Sequence, residues 1–217
     1  DVYKRQKYSN ENVETVVTEL DGKKLSAPND LAIDNNDNIW FSDQIGNVDT
    51  KPELSFSCVV KAERNSDGSY TSKRMTYDRT SPNRLIFSKD FKELYVAQSD
   101  FNGNQRRQLR SYQVDTNNNL KSHKVLHDFG PHRGIDGMAL DSDGNIVATC
   151  GWEVSGPGPM ICIFDKKGRI ILSERTPCMR PSNIAFGGKN LEDIYITSLE
   201  GHLYRVRNSG LKGNKLH

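Results

Sequence analysis

One cassette is written four times in this chain in the same register, and it constrains the fold more than any other feature. The copies read PNDLAIDNNDNIWFS from Pro28, PNRLIFSKDFKELYVA from Pro82, IDGMALDSDGNIVAT from Ile135 and PSNIAFGGKNLEDIYIT from Pro181. Each opens with a short polar residue, runs into an apolar stretch, turns through Asp, Asn, Gly or Lys, and ends in a second stretch of β-formers. That pattern is a β-hairpin, and its repetition predicts a radial all-β architecture. The apolar residues anchoring the first strands are Leu31, Leu85, Met138 and Ile184, and two positions earlier stand Asn29, Asn83, Asp136 and Ser182. Those polar positions are 54, 53 and 46 residues apart (29 to 83, 83 to 136, 136 to 182), close to the roughly 40–50 residues of a four-stranded propeller blade.

Each cassette supplies two strands and the intervening segments supply two more. QLRSYQV, a turn at residues 115–119 and KSHKVLHDF form one such outer pair; MICIFD, the KKGR turn and IILSE form another. No convincing amphipathic helix interrupts them. A β-sandwich is the alternative, but a sandwich needs no common residue at the start of every second hairpin. Four copies do not easily close a ring of such blades, so part of the ring is expected to be missing.

With 35% hydrophobic residues and a net charge of +2 over 217 residues, the composition is that of one domain or a piece of one. The charge balance offers no electrostatic case for nucleic acid, and a basic run such as Arg106–Arg110 reads as a solvated loop. No apolar run is long enough to cross a bilayer as a helix. Cys58, Cys150, Cys162 and Cys178 lack CxxC spacing and a histidine at ligand distance, which argues against a zinc site built from them. Cys150 and Cys162 fall in strands as small apolar residues; a disulfide stays open.

The first residues, DVYKRQ, show no initiator Met and no signal peptide. One reading frame of a common transposon-based sequencing adapter encodes this hexapeptide. Residues 1–6 are therefore expected to be an assembly scar, and residues 7–217 a partial propeller lacking its first one or two blades. NVETVVTELDGKKL then reads as the outer strands of an incomplete blade. Compartment, whether cytoplasmic, periplasmic or secreted, is not specified.

In a propeller the innermost strands start beside the central channel, so the residues before each first strand converge at one end. Here those residues are Asn29, Asn83, Asp136 and Ser182. Two amide oxygens and one carboxylate from different blades make an all-oxygen set suited to a hard divalent cation, calcium above all, with zinc, magnesium and manganese as alternatives. Asn and Asp are also the ordinary residues of turns leading into strands, so either origin fits each position singly; the common register favours the metal.

PNDLAID, SPNRLIFS, IDGMALDSDGNI and FGGKNLEDIYIT together resemble the gluconolactonase/regucalcin-like family of six-bladed propeller lactonases. The resemblance runs from about Leu25 to Lys212, and GWEVSGPGPMICIFD is similar to the bacterial gluconolactonase branch more than to animal regucalcins. It implies hydrolysis of small sugar lactones at one divalent cation, without nucleic acid or membrane partners. By it, Asn83 and Asp136 are direct metal ligands. Asn29 binds substrate or water, or the metal as in phosphotriesterase-like members. The family's first-blade Glu ligand has no counterpart here, and the basic residue that regucalcins carry two positions before the first Asn is Ala27. The chain as it stands is therefore expected to bind metal weakly, to be inactive and to aggregate or form a partly ordered arc.

A cation of this kind polarises a lactone carbonyl. Asp136, the only carboxylate in the set, is by resemblance both ligand and general base. His132 in the loop before it suits proton transfer, Arg133 suits a sugar hydroxyl or the product carboxylate, and Trp152, followed by Glu153, suits stacking on a sugar face; each is equally a loop or packing residue. Asp43 and Gln44 read as a strand-end turn, Trp40 as core, His202 as part of a closing strand, and Pro157 and Pro159 as shaping a flexible loop over the mouth. A phosphotriester hydrolase on the same site and a non-catalytic cation- or ligand-binding propeller remain the competing functions, because fold alone does not separate them.

Overall fold

The computed structural model describes residues 5–9, 12–45, 51–78, 81–99 and 106–214. Residues 1–4 of the expected scar, and the side chain of Pro157, lie outside the described residues. Every regular element among the described residues is a strand.

β1 (Arg5–Ser9) pairs with β2 (Asn12–Val17), and β3 (Glu19–Leu20) with β4 (Lys23–Lys24). The turn at Asp21–Gly22 is thus present, but β2 takes its partner from Arg5–Ser9 and not from the strand after it. Blade 1 follows as β5 (Pro28–Ile33), β6 (Ile39–Asp43), β7 (Cys58–Arg64) and β8 (Tyr70–Arg74). Blade 2 comprises β9 (Pro82–Phe87), β10 (Glu93–Gln98), β11 (Gln108–Val114) and β12 (Leu120–Asp128). Blade 3 comprises β13 (Ile135–Leu140), β14 (Ile146–Trp152), β15 (Ser155–Phe164) and β16 (Ile170–Arg175), and blade 4 contains β17 (Pro181–Gly187), β18 (Asp193–Ser198) and β19 (Leu203–Val206). All pairs are antiparallel neighbours in sequence, and the inner strands contact one another in the order β5, β9, β13, β17. This is a four-bladed propeller arrangement in which each cassette is the inner hairpin of its blade.

The turns explain the polar spacing of the cassettes. Asp34 Oδ1 accepts the Asn36 and Asn38 amides, and Asp141 Oδ1 accepts those of Asp143 and Asn145, at 2.8–3.0 Å. Asp115 and Asp165 do the same for the outer hairpins of blades 2 and 3. The side chain thereby completes the turn that a backbone carbonyl would otherwise have to close.

The core lies between successive blades, and on the other side of blade 1 Val17, Leu20, Leu25 and Leu54 cover Phe41, Cys58, Val60 and Ala62. Trp40 and Val59 of blade 1 meet Leu85, Phe87, Leu94 and Val96 of blade 2. Ile86, Tyr95 and Leu109 of blade 2 meet Met138, Ile146 and Phe164 of blade 3, whose Val147 and Ile163 meet Ile184, Ile194 and Ile196 of blade 4. Full burial of such side chains contributes about 1.5–3 kcal/mol each. Trp40 is core as expected, its indole N–H donating to Asp34 at 2.8 Å.

Four sequence expectations change. Leu31, chosen as the first anchor, is 44% exposed, whereas Leu85, Met138 and Ile184 are at most 3% exposed; its face of β5 has no blade packed on it among the described residues. The SGPGP segment is no loop: β15 begins at Ser155, opposite Trp152, and a register shift between Cys150 and Trp152 accommodates the prolines. Arg110 lies within β11 and pairs with Asp78, its side chain 11% exposed, while Arg106 alone of that run is strongly exposed and pairs with Asp128. His202 precedes β19 instead of lying within it. All four cysteines are buried free thiols.

Candidate functional site

Asn29, Asn83, Asp136 and Ser182 are the second residues of β5, β9, β13 and β17, inside the strands and not ahead of them. At that point the four ladders lose register: between Pro28 and Leu31, opposite Val96 to Gln98, between Ile135 and Met138, and between Pro181 and Asn183. Such irregularities re-aim a side chain relative to its strand, which turns the first three residues toward one another. Asn29 Nδ2 donates to Asn83 Oδ1 at 2.5 Å, and Asn83 Nδ2 donates to Asp136 Oδ1 at 2.9 Å. Residues 54 and 53 positions apart thus form one hydrogen-bonded string across three blades. Ser182 does not join it, its hydroxyl lying 2.9 Å from that of Thr197.

A belt directly beneath the string holds it. Asp30 forms an ion pair with Arg84 and accepts the Leu85 amide at 3.1 Å. Arg84 also donates through Nε and Nη2 to the Met138 carbonyl, both at 3.3 Å, so one guanidinium ties blades 1, 2 and 3. Ser42 Oγ donates to the Asn83 carbonyl at 2.6 Å, and Gln44 to that of Pro82 at 2.7 Å. Asp43 accepts the Ser26 and Ala27 amides at 2.8–3.1 Å. Asp43 and Gln44 therefore shape the start of β5 and β9 instead of merely ending β6. Burial pushes both Asp30 and Asp43 above the usual carboxylate range, against the pull of Arg84 on the first and of the two amides on the second. Gly137 permits the next approach: a Cβ there would lie 2.5 Å from Asn183 Cα, so only glycine lets β13 meet β17 after the site aspartate.

On the other side of Asp136, Arg133 Nη2 contacts Oδ2 at 2.6 Å. The Arg133 guanidinium carbon stands 5.4 Å from the Trp152 ring centroid and that of Arg180 stands 5.3 Å from it. Arg180 in turn bonds Glu153 Oε1 through Nε at 2.7 Å and Nη2 at 2.6 Å, which holds the Glu153 carboxyl below its ordinary range. His132 is exposed, and among the described residues its imidazole makes no hydrogen bond, to Asp136 or otherwise.

The site thus gathers Asn29, Asn83, Asp136, Arg133 and Trp152, and leaves His132 at its edge. The residues missed from sequence are Asp30 and Arg84. Their signal was available: opposite charges inside apolar inner strands, each one residue after a site Asn and separated by the repeat distance. Among the described residues no three His, Cys, Asp or Glu side chains cluster as a metal site would. The side chains that do converge carry amide and carboxylate oxygens, the chemistry a hard divalent cation takes. Asn29 and Asn83 each turn Nδ2 toward the next residue of the string, so Asn29, Asn83 and Asp136 fit such an ion once the amides rotate.

Successive antiparallel blades whose inner strands lie side by side, each with a polar residue near its start, define a β-propeller arrangement, and comparison with known proteins specifies which kind. The family described as SMP-30/Gluconolactonase/LRE-like region matches residues 2–200, and the chain belongs to that family. A gluconolactonase from Zymomonas mobilis is 29% identical over 205 residues, covering 88% of this chain and 53% of that protein. A 6-deoxy-6-sulfogluconolactonase from Pseudomonas putida is 27% identical over 134 residues, covering 61% of this chain and 43% of that protein. Among solved structures, a gluconolactonase from Xanthomonas campestris superposes with a TM-score of 0.75 at 25% identity, over 96% of this chain and 64% of that one. The chain spans about half the length of the curated relatives it matches.

Proposed function

We propose that this protein is a divalent-cation-dependent hydrolase of sugar lactones, converting a lactone to its aldonic acid. The observation that carries the proposal is the string of Asn29, Asn83 and Asp136, amide and carboxylate side chains from three blades within hydrogen-bond distance of one another. The names of the relatives, gluconolactonase and 6-deoxy-6-sulfogluconolactonase, support the substrate class. Asn83, Asp136 and Asn29 would hold the cation, calcium first among the candidates, and the ion would supply Lewis-acid polarisation of the carbonyl and a lowered pKa for water. Asp136 takes up the proton of the attacking water, with exposed His132 able to pass it to solvent. Asn29, on the outer side of the string, donates to a lactone oxygen. Arg133 meets the product carboxylate, and Trp152 offers an apolar face to the sugar ring.

We further infer a ring of six blades, to which this chain contributes four, with a glutamate ligand on an upstream blade. The uncovered face of β5 and the share of the relatives' length that the chain spans support this. A pH-stat assay with glucono-1,5-lactone on the completed ring, with and without chelator, tests the proposal; the chain as it stands should be nearly inactive. Chelation or Asp136→Ala should lower acid release by about 100-fold or more. Acid release indifferent to both would overturn the mechanism.

A further inference from the structure

Both carboxylate oxygens of Asp136 are already engaged: Oδ1 by the Asn83 amide and Oδ2 by Arg133. The Arg133–Asp136 contact is the tighter, at 2.6 Å, and is half-buried, with side-chain exposures of 17% and 24%. A guanidinium donating to Oδ2 takes one of that oxygen's lone-pair directions and already neutralises the carboxylate, and a positive charge left beside a divalent ion raises the free energy of binding. We infer that Arg133 is the exchangeable counter-ion of Asp136, a built-in competitor whose charge opposes a divalent cation at that carboxylate and whose departure favours the cation's binding. This rests on the cation site proposed above and concerns what opposes its filling.

The surroundings supply the place to which Arg133 moves. Its backbone is anchored, the amide donating to Ser155 Oγ at 2.9 Å, so the exchange is a side-chain swing and not a loop movement. The Trp152 ring lies alongside the guanidinium and offers a cation–π face along the way. Beyond it stands Glu153, whose two contacts with Arg180 both fall on Oε1, leaving Oε2 to receive a second guanidinium. Arg133 already contributes to holding Glu153 ionised. Swung to this position, Arg133 no longer neutralises Asp136. Its donors then face the mouth, where hydrolysis releases a carboxylate. The Asn amides need only two-fold rotation about χ2 to present oxygen in place of nitrogen.

Calorimetric titration of the completed ring with calcium chloride, without substrate, tests the inference. Removing the competing charge in Arg133→Gln should tighten calcium binding by about ten-fold or more, since an unscreened like charge a few ångströms away is removed. Arg133→Lys keeps the charge and most of the stem, and should stay within about three-fold of wild type. It also keeps the test valid if the glutamine variant does not fold. Affinity in Arg133→Gln equal to or weaker than wild type, with wild type binding calcium, overturns the counter-ion role and leaves the cation site standing. Calcium binding tighter in Arg133→Lys than in wild type by more than about three-fold would overturn it equally. Binding by neither wild type nor Arg133→Gln overturns the cation site together with the inference.

Discussion

β5 and β9 carry the same cassette in the same register, yet they bury different surfaces. In β9, five of six residues are buried, Arg84 being the exception; in β5 none is, and Asn29, Leu31 and Ile33 are exposed. The sequences PNDLAI and PNRLIF do not differ enough in hydrophobicity to explain this. β9 has a blade on each face, whereas β5 has blade 2 on one face only among the described residues. For these two inner strands, burial is conferred by what packs against them and not by the strand's own composition.

The sharpest way to break that comparison is to truncate the equivalent leucines. Leu85→Ala should lower stability by about 2–4 kcal/mol through lost burial and a cavity between blades 1 and 2. Leu31→Ala should change it by no more than about 0.5 kcal/mol. Urea denaturation of both variants checks this, and equal losses would refute the account of burial by neighbours. Where the two strands are tied together, Asp30→Ala should cost about 2 kcal/mol, because Arg84 then stays half-buried without its carboxylate. That estimate sits below a fully buried pair, since the two side chains are 14% and 23% exposed. A loss confined to the surface range, below about 0.5 kcal/mol, would show that the belt does not hold the site.

The smallest effect concerns pH and belongs to the middle of the molecule, since blade 1 contains no histidine. His127 of β12 packs on Phe129 and Phe164 between blades 2 and 3. Burial there lowers its pKa below the usual histidine value, against opposing contributions from a Gly168 backbone hydrogen bond and Asp128. Burial and Arg110 likewise lower His123 despite Asp78. A folded pKa below the unfolded one means that the unfolded chain binds more protons. This contribution is full above the unfolded histidine value and is lost as pH falls through it toward the lowered folded value. The melting temperature should therefore drop modestly between pH 7.5 and 5.5, and His127→Phe should flatten the slope. Identical slopes in wild type and variant would exclude His127 as a source.

Much of this was legible in the linear chain, and the particular residues show where legibility ended. The hairpins announced themselves because Asp at the first turn position caps its own turn wherever it occurs, as at Asp34 and Asp141. The repeat spacing placed Asn29, Asn83 and Asp136 in one register. The SGPGP strand was misread because prolines signal loops unless an irregular ladder absorbs them, and that irregularity depends on the partner strand. Asp30 and Arg84 went unnoticed because a charge in an inner strand has meaning only once its partner on the next blade is known.

The sequence by itself determined an all-β repeat, its blade boundaries and three oxygen-bearing residues in register, because turn chemistry and strand alternation are local. Tertiary structure alone decided that these residues touch, that Arg84 clamps three blades and that Arg133 occupies the carboxylate of Asp136. It also decided that Leu31 stays exposed where Leu85 is buried. Those outcomes depend on the packing of one blade against the next, and no single segment encodes its neighbour.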